Sequence, residues 1–373
     1  MARQTTNNFD ALRCLAALTV LVSHAFALTT GSDAAEPLYR LTGGEATLGG
    51  TAVCVFFAIS GYLITRSILC TNHPAAFIAA RALRIYPALI VMLLVIVGLA
   101  GPMLTSLPPG TYFIDPATWR HLAVNLSLLA SDGRLPGVFE NLPYPRAIDG
   151  SLWTLPHEVR CYAVVFVLGV TGVLNRGTVI VLPVIAAVLL AARRWAPDAT
   201  PWFYTAFAAG MVVCRARPPL NGWVALGCAL LCIASVKWGG YRMITATFGS
   251  YAVLWLALTP KVRLPDLARW GDVSYGLYIW AFPVQQLAVH LLGNRGGWGL
   301  NIAVSLPIAL ALAWLSWRFI EAPALRWKTR WSPQRRRACP SNANPSSRSA
   351  DNSALPQSRP DHAGIAASAC RAE

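Results

Sequence analysis

The sequence predicts an all-α fold, a polytopic membrane bundle of about ten transmembrane helices. Three observations carry this. Hydrophobic residues make up 55% of the 373 and charged residues only 13%, about half the charge of a soluble domain. The apolar residues fall in long blocks separated by short polar or Pro/Gly-rich joints, and about 20 apolar residues cross a bilayer core. The blocks do not alternate with a period of two, as the strands of a membrane β-barrel would. A net charge of +15 would point to nucleic acid in a soluble protein. Here it sits mostly in joints and near the C-terminus, so it reads as topology and no nucleic-acid partner is expected.

The spans follow in order. The first, 9–29, is apolar apart from Asp10, Arg13 and His24. It ends in "SHAFA", the pattern of a signal-peptide cleavage site, but Asp10 and Arg13 at its start argue for a retained helix. The second, 48–68, is small-residue rich and contains "FFAISGYL"; the third, 85–105, follows the basic "RALRIYP". The fourth, 152–173, begins "SLWTLPHEVRCY", with Trp153 expected in an interfacial aromatic belt. Spans 178–194, 202–216, 221–237 and 244–260 are apolar runs divided by the basic pairs Arg193–Arg194, Arg215 and Arg217, and Lys237 and Arg242. The last two, 273–292 and 300–321, flank "GNRGG". With the N-terminus in the cytoplasm, inner joints carry more Lys and Arg than outer ones, which places both termini inside. Residues 8–325 then form one membrane domain. Residues 332–373, rich in Ser, Pro, Ala, Asn and Arg, lack the apolar content for a core and are expected to be a disordered cytoplasmic tail. The 106–151 joint, rich in Pro and aromatics, is expected outside.

Arg13 and His24 are eleven positions apart, which returns to nearly the same helix face about 16 Å further along. Ionisable groups within a span usually face a bundle interior. Arg13 also lies near enough to the inner edge to snorkel or to pair with Asp10. Counting rise along the fourth span puts Glu158 about 9 Å below the outer edge, level with His24. A carboxylate there would orient the imidazole as a general base; pairing of Glu158 with Arg160 or His157 is the alternative. A second polar level near the inner face holds Arg13, Ser60, Gly61, Arg81, Arg84, Arg318 and Glu321. Ser60 and Gly61 suit helix packing and the arginines suit topology, yet Arg81 and Arg84 share one helical face and would grip phosphates. No His/Cys cluster has metal spacing, so no metal is expected.

In this order, "DALRCLAALTVLVSH", "GGTAVCVFFAISGYLI", "RALRIYP", "GSLWTLPHE", "GDVSYGLYIWAFPV" and "RFIEAP" resemble the acyltransferase-3 family of integral membrane acyltransferases, over about residues 8–325. The resemblance implies transfer of an acyl group, usually acetyl, from cytoplasmic acyl-CoA, a co-substrate rather than a permanently bound cofactor. The acceptor it implies is a carbohydrate hydroxyl at the membrane. It assigns His24 as base, Arg13, Arg81 and Arg84 to the CoA donor, Ser60 and Gly61 to the donor's path, and Glu158 to a recurring acidic position. Ala281 stands where many members have a further His, leaving His24 as the base. The chain has no fused extracytoplasmic hydrolase-like domain, so it acts alone or with a separate partner. The implied location is the bacterial inner membrane. Trp119, Tyr112 and Tyr144 of the 106–151 joint are candidates to stack on sugar rings. A transporter or flippase of a lipid-linked sugar, or an acyltransferase acting on a lipid or small molecule, are the competing readings.

Overall fold

The structure, a computed structural model, describes residues 8–71, 73–181, 200–265, 267 and 271–327. Helix α1 (Phe9–Thr30) runs through the middle, with Leu21, Ala25 and Leu28 fully buried. Gly31, with φ +83°, ends it: its N–H closes on the Ala27 carbonyl, a left-handed cap that glycine takes without a Cβ penalty. A short helix, α2 (Pro37–Leu41), leads to α3 (Leu48–Cys70). The buried Glu36 carboxylate accepts from the N–H groups of Tyr39 (2.6 Å) and Leu48 (3.0 Å), capping both helices with one side chain.

The third span begins earlier than its apolar run. Helix α4 (Pro74–Leu104) starts at a proline suited to the first helical turn, and continues through a π turn at Ile96–Ala100. Arg81 and Arg84 therefore lie inside the helix, not in the joint before it. The following segment folds into α5 (Pro109–Ile114) and α6 (Pro116–Ser127). Tyr112 is fully buried and donates to the Val97 carbonyl at 3.1 Å, and the fully buried His121 meets Asp149 at 3.2 Å. Burial pushes the Asp149 carboxyl up, against the hydrogen bond from His121.

A 3₁₀ turn (Gly150–Thr154) enters α7 (Leu155–Val170), followed by α8 (Thr200–Ala216) and α9 (Gly222–Trp238). Trp223 and Trp238 flank α9 and are more than 80% exposed, the placement of interfacial aromatic residues. Helix α10 combines Tyr241–Ile244, a π turn at Thr245–Gly249, and Ser250–Leu258. Helices α11 (Ser274–Leu292) and α12 (Gly297–Arg326) complete the bundle, the latter with a π turn at Trp317–Glu321. The described residues contain no strand beyond an isolated bridge between Thr105 and Val138. Four helices, α1, α3, α4 and α12, are long and apolar enough to cross a membrane, and α9 is a shorter apolar helix. Most of the expected span 178–194 and all of 332–373 lie outside the described residues.

Packing follows residue size. Helix α1 sits against α3, α11 and α12. Gln285 reinforces this, donating to the Leu21 carbonyl at 2.9 Å while pairing with Asn301 at 3.0 Å. The closest approach is between α3 and α8, which run in the same direction. A Cβ on Gly61 would land on the Phe207 carbonyl oxygen, and one on Gly210 on the Ala58 carbonyl oxygen. Small residues that let backbones touch are a principal source of helix association in lipid. Gly61→Leu or Gly210→Leu should therefore abolish recovery of monodisperse protein in detergent, an overpacking cost of at least about 3 kcal/mol. Gly227→Ala, at a position with open space around it, should have no effect. Normal yield of either leucine variant would contradict the close contact.

Candidate active site

Three polar levels lie along α1. At the C-terminal end of that helix, His24 lines a cavity of about 320 Å³. Aromatic rings, among them Tyr144, Trp153, Trp202, Tyr241, Tyr278 and Phe282, form part of its wall, which also carries the charged Asp33 and Arg242 and the smaller Ser23, Cys54 and Thr245. Nδ1 of His24 is buried and has no hydrogen-bond partner among the described residues. The ring is held by Phe282, which meets it edge-on at 5.3 Å between centroids. Phe282 in turn fits because residue 150 is glycine: a Cβ there would sit 2.6 Å from the Phe282 ring. Gln286 fixes the loop carrying Tyr144, donating at 2.8 Å to the carbonyls of both Tyr144 and Ala147. The π turn at Thr245 brings that residue to the wall.

The middle level is centred on Glu158. Its Oε1 accepts from Ser60 Oγ at 2.8 Å and from the Tyr162 hydroxyl. Glu158 is also within electrostatic reach of Arg13 and Arg81. It makes no hydrogen bond to His24, Arg160 or His157; His157 bonds to Tyr204 at 2.7 Å instead. The expectation that Glu158 orients the His24 imidazole is corrected on this point. Counting rise along one helix leaves open which way a side chain turns, and Glu158 turns to Ser60 of α3 and to Tyr162.

The third level is a partly buried ion-pair cluster, in which Glu321 is buried and Arg13, Arg84 and Asp272 are half-buried. Asp272 receives Arg13 at 2.9 Å and Arg84 at 2.6 Å, and Arg84 also reaches Glu321 at 3.1 Å. The site is built locally. Gly271 takes φ +97°, and a Cβ there would collide with the Trp317 indole nitrogen, so only glycine brings the next residue to this point. Ser274 donates to Asp272 and Ser316 to Glu321, while Arg84 lies over the rings of Tyr275 and Trp317. Burial alone would raise the Asp272 carboxyl; the Arg13 and Arg84 guanidinium groups outweigh it and hold it well below the ordinary carboxylate range. Arg81 differs from its neighbours. It lies over Phe77, and its buried Nε has no hydrogen-bond partner among the described residues.

The structure thus brings Arg13, Arg81 and Arg84 to one end of the bundle, Ser60 and Glu158 to its middle, and His24 to the cavity. Gly61 is a packing position against α8. Of the three candidate stacking residues, only Tyr144 lines the cavity. Tyr112 is buried against α4, and Trp119 donates to the Phe113 carbonyl. Ala281 is buried in an apolar cluster with Ala17, Leu21 and Leu277. Arg318 is exposed. Asp272 and Tyr162 went unassigned from sequence, although both sit within quoted or adjoining motif segments. Among the described residues no group of His, Cys, Asp and Glu could hold a metal.

A family described as an acyltransferase domain matches residues 6–318. The O-acetyl transferase of Shigella phage Sf6 is 30% identical, covering 88% of this chain and 98% of the relative. Nodulation protein 10 of Rhizobium leguminosarum bv. viciae is 26% identical, covering 87% and 94%. The exopolysaccharide production protein ExoZ of Rhizobium meliloti is 29% identical, covering 76% and 92%. No solved structure matches the chain.

Asp272 gives the ion-pair level a definite pH dependence. Its carboxyl is depressed below the ordinary 3.8, so the pairs contribute fully above that value and are lost as pH falls through the lower, folded one. Asp272→Asn removes the shared carboxylate from two guanidinium groups and should cost about 2–4 kcal/mol. The check is thermal unfolding in detergent as a function of pH. The variant should melt several degrees lower at neutral pH and lose part of the wild-type fall in Tm on acidification; equal melting at neutral pH would contradict the assignment.

Proposed function

The chain belongs to the acyltransferase domain family that matches it over residues 6–318, and from that membership we propose that this multi-pass membrane acyltransferase moves an acyl group, acetyl by preference, from acyl-CoA to a hydroxyl of a cell-surface or lipid-linked carbohydrate. The observation that carries the reading is His24. An imidazole with an unpartnered Nδ1 lines an aromatic cavity, on the same helix that carries Arg13 into a partly buried cationic level. An O-acetyl transferase and an exopolysaccharide production protein among the relatives support the reaction and the acceptor class.

In this reading the donor enters from the cytoplasm at the Arg13 end. Arg81, which has no carboxylate hydrogen bond among the described residues, takes the leading role in donor binding. Arg13 and Arg84 shape the entrance through Asp272. The donor's thioester passes Ser60 and Glu158 to reach His24. The acceptor occupies the aromatic cavity from the opposite side, where flat rings offer apolar faces to a sugar. His24 removes the hydroxyl proton as the oxygen attacks the thioester carbonyl. The carbon–oxygen bond forms, the carbon–sulfur bond breaks, and the departing thiolate takes up the proton, giving ester and free CoA. Glu158, bonded to Ser60 and Tyr162, supplies negative charge near Arg81 rather than a partner for the imidazole.

About ten spans, cytoplasmic termini and a bacterial inner-membrane location complete the reading; they rest on the Lys and Arg bias of the joints and the family membership. A separate extracytoplasmic partner is compatible with it. A transporter would use the same buried charges, and an acyltransferase for a lipid or small molecule would use the same chemistry on another acceptor.

Mass spectrometry of surface glycans separates these readings, with wild type, His24→Ala and a null strain at matched membrane expression. An ester confined to wild type supports the proposal, and His24→Ala should lower the transfer rate about 10²–10⁴-fold. Full ester in His24→Ala removes the base assignment. Transport without acyl-CoA turnover favours the transporter. In a purified assay, Trp202→Ala should raise acceptor KM roughly three- to tenfold with the KM for acyl-CoA unchanged; equal effects on both would place this wall outside the acceptor site.

A further inference from the structure

The cations expected to hold donor phosphates are largely spoken for: Arg13 and Arg84 are bound to Asp272 and Glu321. A different group of cations at the same end of the bundle is not. Helices α3 and α8 run in the same direction and touch backbone to backbone at Gly61 and Gly210. Each carries an arginine five residues further on, Arg66 and Arg215, so the glycine contact brings both to one place. Arg217 follows where α8 ends, with φ +54°, a left-handed conformation unusual for a residue with a side chain. All three guanidinium groups are within electrostatic reach of Cys214, which packs in one apolar cluster with Phe9 and Leu12, next to Arg13.

Among the described residues no carboxylate pairs with any of the three. Arg215 is oriented by its Nε, which donates to the Leu174 carbonyl at 3.0 Å. Arg66 and Arg217 are exposed. Positive charge in a membrane joint has a topological use that needs no convergence. Here the glycine crossing sets Arg66 and Arg215 at one level of two touching helices, and the left-handed backbone at Arg217 keeps the third charge beside them around Cys214. A polyvalent anion would relieve their repulsion and use the planar guanidinium donors in pairs.

We infer that Arg66, Arg215 and Arg217 form a phosphate-binding site at the Arg13 end of the bundle, separate from the Arg81–Arg84 level. Two sources offer that chemistry: the phosphates on the nucleotide of the acyl-CoA donor, and the headgroup of an anionic phospholipid. The first rests on the acyltransferase reading; the second does not.

The full chain is reconstituted in phosphatidylcholine nanodiscs for two binding measurements, neither of which requires turnover. One arm titrates adenosine 3′,5′-bisphosphate. The other follows phosphatidylglycerol retained by the protein in native mass spectrometry. The variants are Arg66→Gln/Arg215→Gln/Arg217→Gln and the corresponding Lys triple, which preserves charge and hence membrane topology. The Gln triple should weaken one of the two ligands at least about tenfold, the loss of one or more charge-assisted hydrogen bonds, with the Lys triple in between. Loss confined to the bisphosphate assigns the site to the donor; loss confined to phosphatidylglycerol assigns it to lipid. Unchanged binding of both ligands in the Gln triple overturns the proposal. If the Gln triple fails to insert, the Lys triple decides it alone: a several-fold loss supports the site and wild-type binding of both ligands overturns it. Since neither arm depends on His24, failure here leaves the acyl-transfer test standing, and failure of acyl transfer leaves the phosphate measurement readable.

Discussion

Asp272 is the constraint on which one end of the molecule depends. Guanidinium groups partly withdrawn from water into an apolar bundle are costly unless a carboxylate accompanies them, and removing one partner of such a pair costs more than the pair contributes. Asp272 answers that cost for Arg13 of α1 and Arg84 of α4 at once, from the segment that leads into α11. Three distant parts of the chain are thereby fixed to one another. Glu321 draws in α12 through the same Arg84. Helix α1 is held at this end by charge, and at the other by Gln285 and by the Phe282 ring against His24.

That division explains how one helix serves two chemistries. The Arg13 level is rich in charge that is internally compensated, which keeps it folded in a low-dielectric setting. The His24 level has aromatic surfaces and an imidazole with a spare nitrogen. Between them, Ser60, Glu158 and Tyr162 form a hydrogen-bonded polar link.

The apolar blocks and helix class were legible in the sequence because hydropathy and span length are local properties. Azimuth and depth were not. Glu158 was placed level with His24 by counting from Trp153, a count that presumes Trp153 marks the interface. The direction in which Glu158 turns is not contained in that count, and its partners are Ser60 and Tyr162. Asp272 lay in the quoted segment "GDVSYG", but nothing local announces which arginines it will meet 188 and 259 positions away. The start of α4 was missed for a related reason: Ala-rich "PAAFIAARALR" is helical by propensity without being apolar enough to read as a span.

The glycine seam between α3 and α8 has a consequence for how such a protein diversifies. With carbonyl oxygens occupying the space where side chains would stand, neither Gly61 nor Gly210 can be exchanged for any larger residue without parting the helices. At these two positions the pair of helices is closed to larger side chains. Resizing is tolerated instead where side chains border open space, as the rings of Trp153, Trp202 and Tyr144 do at the cavity. One protein therefore carries a part that evolution can retune residue by residue and a part that it can only keep.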